Sequence, residues 1–200
     1  MLLKNNCSRI KLKINFNLNN VNLHTLFSKN NLSQFIFHYK RFKINNMSKI
    51  TNELALHIRE IHFGNNWSDS DMKMVLSDVT WQQAVATHIP SANNIAVLVF
   101  HMNFYLNYVH KHIQGIKYVF EHEDSFKVPA IQSESDWQTL LQKTWDDAEA
   151  FAQSVEKLPD DDNFFKAIPP NHNSFYKNIQ GVVEHNHYHL GQIVLLKKLV

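Results

Sequence analysis

His185 and His189 stand four residues apart in the stretch 181–199, GVVEHNHYHLGQIVLLKKL. An α-helix turns about 100° per residue, so these two imidazoles lie about 40° apart on one face, while His187 points away. Two imidazoles one turn apart can grip one metal ion. Val182, Ile193 and Leu196 share that face, which is therefore the stripe to be buried, and a buried imidazole without a partner is costly. A third ligand is needed. His101 lies between Leu98 and Met102, with Tyr105 and Tyr108 further along the same face, an arrangement that aims it at the interior. For His101 alone, a neutral histidine hydrogen-bonded to a tyrosine is the simpler reading. Beside the His185/His189 pair, the metal reading takes precedence.

Three neutral imidazoles with an open position match a catalytic-type divalent site, for which Zn²⁺ is the commonest occupant and Ni²⁺, Fe²⁺ and Mn²⁺ the alternatives. Tyr105 and Gln192 are the candidates for orienting the imidazoles, and Trp67 for the substrate-facing side. His110, His122, His172 and His187 fall off the buried stripes or in loops and read as solvated. Two other metal chemistries fit less well. A zincin needs His-Glu-x-x-His, whereas Glu184 precedes the first histidine here. A di-iron bundle needs paired Glu-x-x-His motifs, and only Glu184 to His187 has that spacing in this helix.

The elements that must position these residues are helical. Leu54, Ile58 and Ile61 mark a first helix with Gly64 as its stop. The connection 65–92 contains a turn from Ser68 and a capping box at Thr80-x-x-Gln83. Ser91 or Asn93 then caps a second helix running from Ile95 to Gly115. After a second long connection, 116–134, the box Ser135-x-x-Gln138 opens a third helix that halts before Pro159. Ser174 or Asn173 caps the fourth, where Lys197 and Lys198 suit the negative end of the helix dipole. The fold class expected is all-α, a four-helix bundle with long helix 1–2 and 2–3 connections. Only four Gly and five Pro in 200 residues, 44% of them hydrophobic, agree with long helices.

Charge divides the chain in two. Residues 1–46 hold eight Lys or Arg, no acidic residue and eleven Asn, and read as an unpacked basic tail. Met47-Ser48 is the expected natural start, with an organellar transit peptide as the alternative for the segment before it. Residues 47–200 form the expected domain, with twelve basic residues against eighteen acidic, a net charge of −6. An acidic body argues against nucleic acid, and no run is apolar enough to span a membrane. The single cysteine, Cys7, lies in the tail, so the body has no disulfide and no thiolate site, and a cytoplasmic location is expected.

The run from Asn178 to Leu196 resembles the closing helix of the DinB-like superfamily of metal-binding four-helix bundles, in which His-x-x-x-His-x-Gly-Gln-Ile recurs, here His185, His189, Gly191, Gln192 and Ile193. Residues 93–106, NNIAVLVFHMNFYL, resemble that family's second helix. The turn Gly64-Asn65-Asn66-Trp67 and the segment Asp78-Val79-Thr80-Trp81 are also similar. The resemblance covers roughly residues 48–199 and implies a divalent metal on His101, His185 and His189 with water completing its shell. It further implies a metal-dependent enzyme, a thiol S-transferase acting on a small-molecule thiol and an electrophile, or a hydrolase. A non-enzymatic metal-binding or stress-response bundle with a structural ion is the alternative, since one fold hosts several functions. Trp137, Trp145 and Phe151 are candidates for an exposed apolar face that would pair two copies into a homodimer, although core packing explains them equally well.

Overall fold

The structure is a computed structural model that describes residues 49–167 and 173–199; the expectation of a basic tail at residues 1–46 and the reading of His172 lie outside them. The described residues are all-helical, with no strand. Helix α1 spans Ile50–Phe63, α2 Met72–Leu76, α3 Trp81–Val85, α4 Ile95–Ile113, α5 Glu134–Glu156 and α6 Phe175–Lys197. Two 3₁₀ turns, His122–Phe126 and Asp162–Phe165, interrupt the connections after α4 and α5. No helix among the described residues is long and apolar enough to cross a membrane.

Local chemistry sets the helix ends. α1 stops at Gly64, whose φ of 111° belongs to the region open to glycine, and a Cβ there would meet Asp71 Oδ2 at 3.3 Å. The capping box at Thr80 and Gln83 forms as expected at the start of α3. Three expected starts differ. α2 is capped by Asp71 rather than Ser68, because Ser68 is already bonded to Asn66 Oδ1 through both its N–H and its hydroxyl. α4 is capped by Asn94, whose side chain accepts from the Val97 N–H. α5 begins at Ser133, which caps the Asp136 N–H while Asp136 accepts back from Ser133 Oγ; Gln138 instead donates to Glu134. α6 is capped by Ser174. Lys197 lies in the last turn of α6, as expected, and its ammonium donates to the Val75 carbonyl and Asp78, tying α6 to α2 and to the connection that follows it.

Side-chain pairs give the helix directions. Phe63 meets Trp145 while Arg59 pairs with Glu149 and Glu156, so α1 and α5 are antiparallel. Asn103 and Asn107 both donate to Asp147, and His110 pairs with Ser154, so α4 and α5 run parallel. His112 lies near Phe175 and His101 near His189, so α4 and α6 are antiparallel. α1 and α4 each pack on both α5 and α6. Two parallel helices that follow one another in sequence need a connection that returns the full length of the first, about 28 Å for the 19 residues of α4. Residues 114–133 make that crossover.

The apolar core falls into two clusters along the helices. One gathers Ile61, Met72, Leu98, Met102, Trp137 and Ile193; the other gathers Leu54, Ile58, Leu106, Phe151, Val155 and Ile179. Each fully buried aliphatic or aromatic side chain contributes about 1.5–3 kcal/mol. Trp137 and Phe151 are wholly buried and Trp145 packs edge-on against Phe63, so core packing occupies the rings that the sequence offered for an exposed face. Between the two clusters the helices carry polar residues: His62 on α1, His101 and Asn103 on α4, and His185, Asn186 and His189 on α6.

Candidate metal centre

In this polar layer, α6 presents His185 and His189 on adjacent turns and α4 presents His101 opposite them, 3% exposed. The His185 and His101 Nε2 atoms lie 3.1 Å apart, as do those of His189 and His185. All three ligand atoms fall within 4.8 Å of one another, and together they could hold a metal ion. Tetrahedral coordination at a Zn–N distance of about 2.0–2.1 Å separates ligand nitrogens by about 3.3–3.4 Å. Both 3.1 Å separations are close to that.

The outer nitrogens decide the protonation. Ser125, fully buried, donates its hydroxyl proton to the His122 carbonyl at 2.7 Å and therefore accepts from His101 Nδ1 at 2.9 Å. Gln192 Oε1, an acceptor, lies 2.7 Å from His189 Nδ1. With their protons on Nδ1, His101 and His189 turn bare Nε2 lone pairs towards His185. A proton on His185 Nε2 would serve one of them well and leave the other facing a neighbouring nitrogen; a cation serves all three. His185 Nδ1 is buried without a partner. Burial, followed by repulsion from the neighbouring histidines, lowers the pKa of His101 to about 4, and the same causes lower His185 to about 4. Both are neutral at pH 7, the form that ligation requires.

Packing fixes the rings. Phe126 stacks on His101 at 4.3 Å and 17°, and Tyr105 meets His101 and His185 edge-on at 5.0 and 5.1 Å. Tyr188 covers His189 at 4.8 Å. Of the candidates for orienting the imidazoles, Gln192 does so by hydrogen bond. Tyr105 does so by ring contact, its hydroxyl lying 2.8 Å from Nδ1 of the exposed His122. Trp67 is fully exposed at 101% and has no ring contact with the histidines, and Tyr108 packs on Phe120. Two clefts, of about 580 and 510 Å³, are lined by α4, α5 and crossover residues and include neither Trp67 nor any of the three histidines.

Ser125 and Phe126 are site residues that the sequence did not single out, and His122, which it reads as solvated, is exposed yet reaches the Tyr105 hydroxyl. All three come from one 3₁₀ turn of the crossover, where helical periodicity carries no information. Two further histidines have local partners, His110 in Ser154 and the exposed His187 in the Val183 carbonyl, whereas His112 Nε2 is buried with no hydrogen-bond partner. No protein-family model and no curated protein matches the chain.

Proposed function

We propose that residues 47–200 form a four-helix bundle of the DinB-like type that holds one divalent ion, Zn²⁺ in the first place, on His101, His185 and His189. The observation that carries this reading is the convergence of three Nε2 atoms, two of them on imidazoles whose Nδ1 protons are committed to Ser125 and Gln192. Such committed outer nitrogens are the usual support of metal-bound histidines. Among the described residues no Cys, Asp or Glu joins the group, which favours an open coordination position over a closed structural one. An ion so held supplies Lewis acidity that favours the deprotonated form of a thiol or of water.

On that basis the protein acts as a metal-dependent thiol S-transferase, in which a small-molecule thiol meets an electrophile beside His185. The chain's own contribution is positional. Phe126 and Tyr105 exclude water from the histidines on the crossover side, and Tyr105, with His122 behind it, presents a hydroxyl for orienting substrate. The test is conjugation of a model electrophile to a panel of cellular thiols by metal-loaded protein and by His101→Ala, with metal content measured on both. Conjugation that disappears together with the ion supports the transferase. Equal rates across the panel, with the ion bound only by the wild type, leave a non-enzymatic metal-binding bundle. The low exposure of His101 and His189 is the observation that favours that second reading.

A further inference from the structure

About a quarter turn round α4 from His101, the residues Phe100, Phe104 and Lys111 fall on one stripe and line the cleft of about 580 Å³. That volume lies within the range of small-molecule sites. Phe100 and Phe104 face Leu140 of α5, and the crossover closes the other side with Val128, Pro129 and Ile131. The body of the cleft is therefore apolar.

Its charged groups differ in what engages them. Lys143 Nζ lies 2.6 Å from Asp147 Oδ2, which also accepts from Asn103 and Asn107 at 2.8 Å. The Asp136 carboxylate accepts from the Ser133 hydroxyl at 2.7 Å and the Gln132 N–H at 3.0 Å, closing the cap of α5. Lys111 is the one cation of the cleft with no carboxylate partner among the described residues. Asp136 has no cation partner either, but it sits at the opposite, Phe100 end, where the Ser133 and Gln132 donors occupy it. The Lys111 ammonium rests 3.8 Å from the centre of the Tyr118 ring, which also lines the cleft. Phe100 and Lys111 are eleven residues apart on one helix, about 16 Å along its axis. An apolar trough thus carries a cation without a carboxylate partner at its Lys111 end.

We propose that this cleft binds an amphipathic organic anion, with a flat apolar body over Phe100 and Phe104 and a carboxylate or sulfonate at Lys111. The pairing would be charge-assisted at one end and apolar along the rest, the common plan of small-molecule sites. None of the three metal-site histidines lines the cleft, so binding here is independent of the ion.

The probe is 8-anilinonaphthalene-1-sulfonate, compared with its uncharged analogue N-phenyl-1-naphthylamine, by fluorescence titration of the full chain. The sulfonate should bind saturably, one per chain, and more tightly than the neutral analogue. Lys111→Met, which keeps the side-chain stem over Tyr118, should weaken the sulfonate about fivefold to tenfold and leave the neutral probe unchanged. Ala130→Trp, on the exposed crossover wall, should fill the cleft and abolish both. His185→Ala should alter neither, and unchanged circular dichroism should accompany each variant. Equal sulfonate affinity in wild type and Lys111→Met, or full binding by Ala130→Trp, overturns the proposal.

Discussion

His101 Nδ1 and Ser125 Oγ lie 2.9 Å apart, and the serine proton is already committed to the His122 carbonyl, so the imidazole must donate. A loop hydroxyl thereby sets the tautomer of a helix histidine and frees its Nε2 for a cation. Ser125→Ala should keep the fold and weaken divalent-ion affinity about 10- to 100-fold, as removal of such outer partners does. Competition against a chromophoric chelator measures this; unchanged affinity would mean that Ser125 only fills space.

Gln192 does the same for His189. Gln192→Glu retains an acceptor oxygen and should retain near-normal affinity, whereas Gln192→Leu should lose about tenfold or more. If the two variants bind alike, the carbonyl oxygen is not what holds the ring.

These contacts mark where sequence reading succeeds and stops. His101, His185 and His189 were legible because each sits on a regular helix, where the 100° step converts spacing into direction. Gln192 was legible for the same reason. Ser125 and Phe126 were not, because they reach His101 only once the crossover folds back between two parallel helices, and nothing local encodes that path. The start of α5 was misplaced by a related ambiguity. Ser133 with Asp136 and Ser135 with Gln138 both fit a cap pattern, and the former prevails because Asp136 accepts from both Ser133 Oγ and the Gln132 N–H. Trp67 was placed by its motif, yet its side chain stands in solvent.

His62 carries a prediction about acid. It is 1% exposed, and burial, partly offset by its bond to the Ile58 carbonyl, lowers its pKa from 6.5 to about 4. The folded state therefore binds this proton more weakly than the unfolded chain. The contribution of neutral His62 is complete above pH 6.5 and is lost as pH falls from there to about 4. The loss is on the order of 3 kcal/mol for this residue. Chemical denaturation of metal-free protein at several pH values should show stability falling across this window, with a shallower slope in His62→Gln. An identical slope in the variant would assign the effect elsewhere.

Trp137 Nε1 donates to the Val79 carbonyl at 2.8 Å and thereby anchors α5 to the connection leading into α3. The ring is fully buried. Trp137→Phe leaves that carbonyl unpaired and opens space, and should cost about 2–4 kcal/mol in denaturant unfolding. A cost below about 0.5 kcal/mol would indicate that water replaces the bond without penalty.

The central claim is that His101, His185 and His189 act together as one ligand set. Titration of metal-free protein with Zn²⁺ by calorimetry, alongside elemental analysis of the protein as purified, tests it most directly. The account predicts one ion per chain for the wild type, a rise in unfolding temperature on binding, and loss of tight binding in each of the three single alanine variants. Wild-type stoichiometry and affinity retained in His185→Ala would contradict it.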